Sequence, residues 1–292
     1  MLFNCFMILL LACMCAGKTA IQGRIGKDLL TGTGTVLFFN GLYFIASTLC
    51  MLLQVILTSS NISSITVLYG SLFGLISVLF QFGSTSAMKY GPVSLSVLII
   101  NLGCALPILA GLVFWDETPT VWFYPGIVLM VAALFLSTDL KDLHIPHPAR
   151  WIASVAVAFF ANGALNILQK LHSFTPVCDE RSGFVMVAYL VASLVAFSCA
   201  FLLKKERRTL RPLLHFDVLV KSAIVGVLLC SYQQLCLVMA HRMPSSVMYP
   251  MLSGMTLVAC TLVGVVCFRD LLSGKQKLSV FCGIGAVIFL SL

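Results

Sequence analysis

The chain has 292 residues, of which 60% are hydrophobic and only 10% charged, with a formal net charge of +8. A soluble domain carries about 45–50% apolar and about 25% charged residues, so this chain cannot cover a water-facing surface with polar side chains. That excludes a soluble enzyme and a disordered protein. It also excludes a nucleic-acid binder, because the basic residues sit between apolar runs and form no patch.

A hydrocarbon core about 30 Å thick needs about 20 apolar helical residues. Residues 1–17 form a first apolar run with no basic segment before it, since the first positive charge is Lys18. A signal peptide carries its positive charge ahead of the apolar stretch, so this run is read as a retained first span. Residues 29–88 hold no Asp, Glu, Lys or Arg, enough for two spans joined at the polar turn TSSNISS, 58–64. Further charge-free runs cover 90–115, 118–138, 151–169, 182–203, 222–241 and 243–268, and residues 278–292 close the chain. The expected fold class is therefore all-α: a polytopic membrane protein with ten transmembrane helices. Strands are excluded because the runs are continuously apolar rather than alternating, and an open sheet edge would leave backbone groups unpaired in lipid.

Positive charge in short loops marks the cytoplasmic side. Of the 18 basic residues, 15 fall in odd-numbered loops, and only Lys170, Arg181 and Arg242 fall in even ones. This predicts odd loops in the cytoplasm and both chain ends outside.

The chain also repeats itself. Gly74, Gln81 and Pro92 recur 152 residues later as Gly226, Gln233 and Pro244. With one residue inserted, GLVFWDE at 111–117 matches GVVCFRD at 264–270, and Gly17 and Arg24 are echoed by Gly163 and Lys170. Two units of five spans, 1–147 and 148–292, must enter the membrane in opposite senses because five is odd. Such inverted repeats occur in many secondary transporters, with the substrate site near the midplane between them.

The residues that carry these matches also resemble a family. Residues 87–114 (AMKYGPVSLSVLIINLGCALPILAGLVF) followed by Trp115-Asp116-Glu117-Thr118, their counterpart over 239–270, and FFANGALNILQK ending at Lys170 resemble EamA-like members of the drug/metabolite transporter superfamily. The resemblance spans nearly the whole chain. It implies alternating-access transport, in the export direction, of small organic metabolites or drugs. Two departures stand out: the loop after span two is neutral, and the family's Gly-Glu close appears as Asp116-Glu117 and Arg269-Asp270.

A pathway between the halves calls for polar and small residues at three- and four-residue spacing. Span three offers Gly70, Gly74, Ser77, Gln81 and Ser84; span eight offers Ser222, Gly226, Cys230 and Gln233 beside Tyr232 and Gln234. Span four adds Asn101 and Pro107, span six Asn162 and Asn166, and span nine Tyr249, Pro250 and Ser253. The candidate substrate-binding set is Gln81, Asn101, Asn162, Asn166, Tyr232, Gln233, Tyr249 and Ser253. Amides and hydroxyls can hold a polar solute without the cost of a buried charge. The same groups can also act as interhelical hydrogen bonds worth about 0.6 kcal/mol each. No Asp or Glu lies mid-span, so no proton-relay carboxylate is evident.

Eleven of the 12 cysteines lie within spans and read as small hydrophobes. His144 and His147 with Asp139 and Asp142 sit in a proline-stiffened loop and do not form a convincing metal site. The run 204–208 reads as a topology determinant, in reach of anionic lipid. No cofactor and no enzymatic chemistry are expected. The expected partners are a small-molecule substrate and membrane lipids, with the protein a monomer or weak homodimer in the cell membrane. The alternative is a non-transporting membrane scaffold or lipid-handling protein.

Overall fold

A computed structural model describes residues 2–29, 32–91, 93–137, 147–203, 213–268 and 274–291. Among these residues every element is helical: α1 (Leu2–Leu29), α2 (Thr33–Thr58), α3 (Ser64–Tyr90), α4 (Val93–Asn101), α5 (Ala105–Phe114), α6 (Phe123–Ser137), α7 (Pro148–Ser173), α8 (Arg181–Leu202), α9 (Phe216–Arg242), α10 (Ser245–Phe268) and α11 (Gly274–Ser291). The expectations placed on Pro92, on 139–144, on 204–208 and on 269–270 lie outside the described residues.

Seven helical segments are long and apolar enough to cross a membrane, including Leu95–Phe114, which runs through α4 and α5. Shorter apolar stretches occupy Phe6–Gln22 and Phe123–Leu136. The outer surface is apolar as well: Leu53, Leu68, Val128, Phe160, Leu194 and Phe281 are each more than half exposed. A water-facing protein does not present large side chains on every side, and a lipid-facing one does.

Local chemistry sets the ends of the elements. Ser63 caps α3, its hydroxyl accepting from the Thr66 N–H at 3.3 Å, and Pro148 opens α7 where a missing N–H costs nothing. Ser59 ends α2 in the left-handed region at φ 48°. Between α4 and α5, Leu102–Cys104 tightens into one 3-10 turn. Pro107 explains the break, because it has no N–H to return to the Gly103 carbonyl. At Pro107 the helix thus changes type one turn upstream, whereas Pro250 sits inside an unbroken α10.

The main packings pair α2 with α8, α6 with α11, α3 with α7 and α8, α9 with α1 and α2, α10 with α1, α11 and α5, and α7 with α4 and α5. One apolar core surrounds α2 and α8, centred on Phe39, Tyr43, Phe184 and Ala188. A second gathers Ile8 and Leu11 with Met239, Met248 and Tyr249.

Candidate functional site

Small residues first bring helices into contact. On α3, a Cβ added at Gly70 would stand 3.0 Å from the Phe184 carbonyl oxygen, and one at Gly74 would strike the Ala188 carbonyl. On α9, a Cβ at Gly226 would lie 2.7 Å from the Tyr43 oxygen and 2.8 Å from the Ala46 Cβ. Ser47 Oγ completes this second crossing, 2.8 Å from the Gly226 carbonyl and 2.9 Å from that of Tyr43. Gly70, Gly74 and Gly226 therefore serve close helix packing. Ser77 and Ser222 turn their hydroxyls back to Phe73 and Val218 on their own helices, both at 2.8 Å.

The candidate residues fall into two groups joined by α9. In the first, Gln81 Nε2 donates to the Tyr43 hydroxyl at 2.6 Å, and Gln22 of α1 lies beside the same hydroxyl. Three helices thus meet at one phenol. In the second, Asn162 Nδ2 donates to the Ile100 carbonyl at 2.9 Å, just where α4 gives way to the 3-10 turn. One turn along α7, the Asn166 carbonyl accepts from the Tyr249 hydroxyl at 2.6 Å. Ser253 lies beside the Cys104 thiol in the same break, and Asn101 is half-buried at its start without capping it. Gly103 allows α7 this close, since a Cβ there would stand 2.7 Å from the Phe159 carbonyl.

Tyr232 and Gln233 occupy α9, which packs on α1, α2 and α7. The Tyr232 hydroxyl lies beside the Cys236 thiol. Gln233 is 3% exposed, and its Nε2 has no hydrogen-bond partner. Its neighbour Gln234 is fully engaged, with Nε2 3.0 Å from both Gln54 Oε1 and Ser182 Oγ. The groups assembled here are amides, phenols, hydroxyls and thiols. They can offer and accept hydrogen bonds, but they carry no fixed charge.

Charge appears instead at the end of the bundle where α7 stops. Lys170 Nζ donates to the Ala240 and Met243 carbonyls at 2.9 and 2.7 Å. It lies 3.8 Å from Glu117, and the two side chains are 6% and 10% exposed. Glu117 in turn accepts the Ser245 and Ser246 N–H groups at 2.6 and 2.8 Å. One carboxylate thereby satisfies the open start of α10, and one ammonium the end of α9. Glu117 reaches back because Asp116 takes φ 50°, and its carboxylate fills the space beside Gly111, 2.5 Å from where a Cβ would be. Nearby, Glu180 accepts from the Ser63 N–H at 2.8 Å and from the Thr66 hydroxyl. Burial pushes the Glu180 carboxyl up, but those hydrogen bonds and the charge of His172 outweigh it and hold the group below its ordinary 4.5.

Sequence reasoning missed Lys170 as a buried group, together with Tyr43, Gln22 and Glu180. The duplicated acidic close at Asp116-Glu117 was the one available signal for the bracket.

No family model matches the chain, and none of the curated proteins compared matches it in sequence. Solved structures do match in shape. One, described as the crystal structure of a protein, has a TM-score of 0.75 at 14% identity over 98% of this chain and 94% of that one. At that identity the similarity is one of fold.

Proposed function

We propose that the protein is a carrier of small organic solutes: ten membrane-spanning helices forming two inverted five-helix halves, 1–147 and 148–292, that alternate access across the cell membrane. The observation that carries this reading is the pattern of helix packing. Counting α4–α5 as one span, exchange each span with the one five later. The pairs α2–α8 and α6–α11 map onto themselves, α3–α7 becomes α9–α1, and α3–α8 becomes α9–α2. The glycines matched in sequence follow the same exchange: Gly74 lies on α8, and Gly226 on α2. Two units related this way enclose their polar residues between them, as repeat-built transporters do.

The ends of the bundle support the alternating path of the chain. Loops two, four, six and eight converge through Glu180 on Ser63, Lys170 on Met243 and Trp115 on Phe174. At the far end of α3 and α7, Tyr90 meets His147 and Arg150. The EamA-like resemblance adds export as the direction and drugs or metabolites as the cargo.

Reconstitution tests the proposal. Liposomes holding the purified protein and loaded with a panel of radiolabelled neutral and charged metabolites should release at least one of them faster than protein-free liposomes. Folded protein that moves none of them would favour the scaffold or lipid-handling alternative.

A further inference from the structure

The two glutamines that the repeat pairs with each other differ in their surroundings. Gln81 ends on the Tyr43 hydroxyl at 2.6 Å. Gln233 is 3% exposed, yet its Nε2 meets no acceptor. The helix crossings give the reason. A Cβ at Gly74 would meet the Ala188 carbonyl and, at 3.1 Å, the Val191 Cβ; one at Gly226 would meet the Tyr43 carbonyl and the Ala46 Cβ. Tyr43 thus corresponds to Ala188 and Ala46 to Val191, a step of 145 residues each time. The same step carries Phe44 onto Tyr189, and these two rings stack on one another at 5.4 Å and 14°, as residues flanking a two-fold axis would. Where the first half places a tyrosine before its glutamine, the second places an alanine. The second half lacks the hydroxyl.

We propose that the Gln233 side-chain amide binds the transported solute and takes from it an uncharged acceptor oxygen, a carbonyl or hydroxyl, in the role that the Tyr43 phenol plays for Gln81. The NH2 end of an amide is a donor only, so its ligand must supply an acceptor. Neighbours one or two turns away on the buried face of α9 are Gly226, Leu229, Cys230, Cys236 and Leu237, none of them charged. A carboxylate or ammonium arriving there would lose its water without finding a counter-charge on this face of α9. The amide nitrogen is closed to solvent, so the solute reaches it as the halves part. In this the inference rests on the carrier reading.

A buried donor left unpaired destabilises the empty protein, so its removal should do what removal of a structural amide cannot. In purified protein without added solute, Gln233→Leu should raise the Tm by about 2–4 °C, whereas Gln81→Leu, which strips the Tyr43 phenol of a donor, should lower it. Nicotinamide, uracil and N-acetylglutamine amide serve as neutral carbonyl probes, with nicotinate and benzylamine as charged counterparts. At least one neutral probe should stabilise the wild type more than either charged one does, and Gln233→Leu should weaken its binding at least about tenfold. A fall in Tm on Gln233→Leu would overturn the proposal. So would binding that survives this change, a preference for the charged probes, or no stabilisation by any neutral probe. Probe binding lost on Gln233→Leu in a protein that shows no flux would sink the carrier reading and leave the binding site standing. Flux unchanged in Gln233→Leu would do the reverse.

Discussion

At the Gly74–Ala188 and Gly226–Tyr43 crossings two helix backbones come close enough that an added Cβ would strike a carbonyl, and at the second the Ser47 hydroxyl bridges the two carbonyls. Where α7 ends, the contact between halves runs through Lys170 and Glu117, whose long side chains reach the backbone ends of α9 and α10. The first kind of contact depends on the absence of atoms and tolerates no addition. The second depends on four hydrogen bonds and a charge pair, and tolerates no subtraction. The difference follows from the surroundings. Mid-helix backbone is already hydrogen-bonded within its own helix, so what remains to be gained there is mostly van der Waals contact, with the Ser47–Gly226 hydrogen bond added at one crossing. Helix ends have open N–H and C=O groups that must be satisfied by something.

Subtraction at the bracket should have the larger effect. Lys170→Met leaves Glu117 without its cation and the Met243 carbonyl without a donor, and should cost about 3–5 kcal/mol, the range for breaking a buried pair on one side. Denaturant or thermal unfolding of the purified protein in detergent measures it, and a loss under 1 kcal/mol would show that the pair is not coupled to folding. Addition at the seam comes next. Gly74→Ala should cost about 2–3 kcal/mol because the obstructing atom is backbone and cannot swing aside. As the matched control, a Cβ at Gly254 would stand 3.6 Å from its nearest atom, the Gly283 carbonyl. Gly254→Ala should therefore be neutral or stabilise by up to about 1 kcal/mol through helix propensity. Equal effects at the two glycines would dissolve the distinction drawn above.

Acid sharpens the comparison without mutation. The folded Glu180 carboxyl sits below its ordinary 4.5, so the unfolded chain binds that proton first. Its stabilising contribution is complete above about that value and is lost as pH falls through the folded one. Melting temperature should fall on acidification below about pH 4.5, and Glu180→Gln should flatten that fall while leaving the glycine crossings untouched. The smallest effect belongs to Asp116, a non-glycine residue at φ 50°. Asp116→Gly should relieve this conformation and stabilise by up to about 1 kcal/mol. A loss of stability instead would mean that the Asp116 carboxylate, not only its backbone, holds the turn.

The unequal legibility of the two regions in the sequence has the same origin. Charge-free runs such as 151–169 and 182–203 match α7 and α8 to within a few residues, because lipid imposes one rule on every residue of a span. The glycines of the seam repeat at fixed spacing, which marks them as small residues facing another helix but does not separate close packing from the wall of a pathway. The bracket was not readable, because Glu117 meets Ser245 and Ser246 across more than 120 residues and no local pattern records a contact of that reach. Lys170 looked like a loop charge, since a single residue at the end of an apolar run gives no sign of which way it points. The candidate set was partly legible. Asn162, Asn166, Tyr249 and Ser253 do gather at the broken fourth span. The inequality of Gln81 and Gln233 was invisible because the residues that decide it, Tyr43 and Ala188, lie on helices where no repeat had been traced.

The stacked rings of Phe44 and Tyr189 have a consequence for how the molecule could be rebuilt. Because each ring is the other's counterpart, a chain assembled from two copies of the first unit would set phenylalanine against phenylalanine and give both glutamines a phenol. Such a tandem would keep its crossings and lose its one vacant amide. In the present chain alanine stands where such a tandem would have tyrosine, and that single difference leaves one glutamine of the pair without the partner the other has.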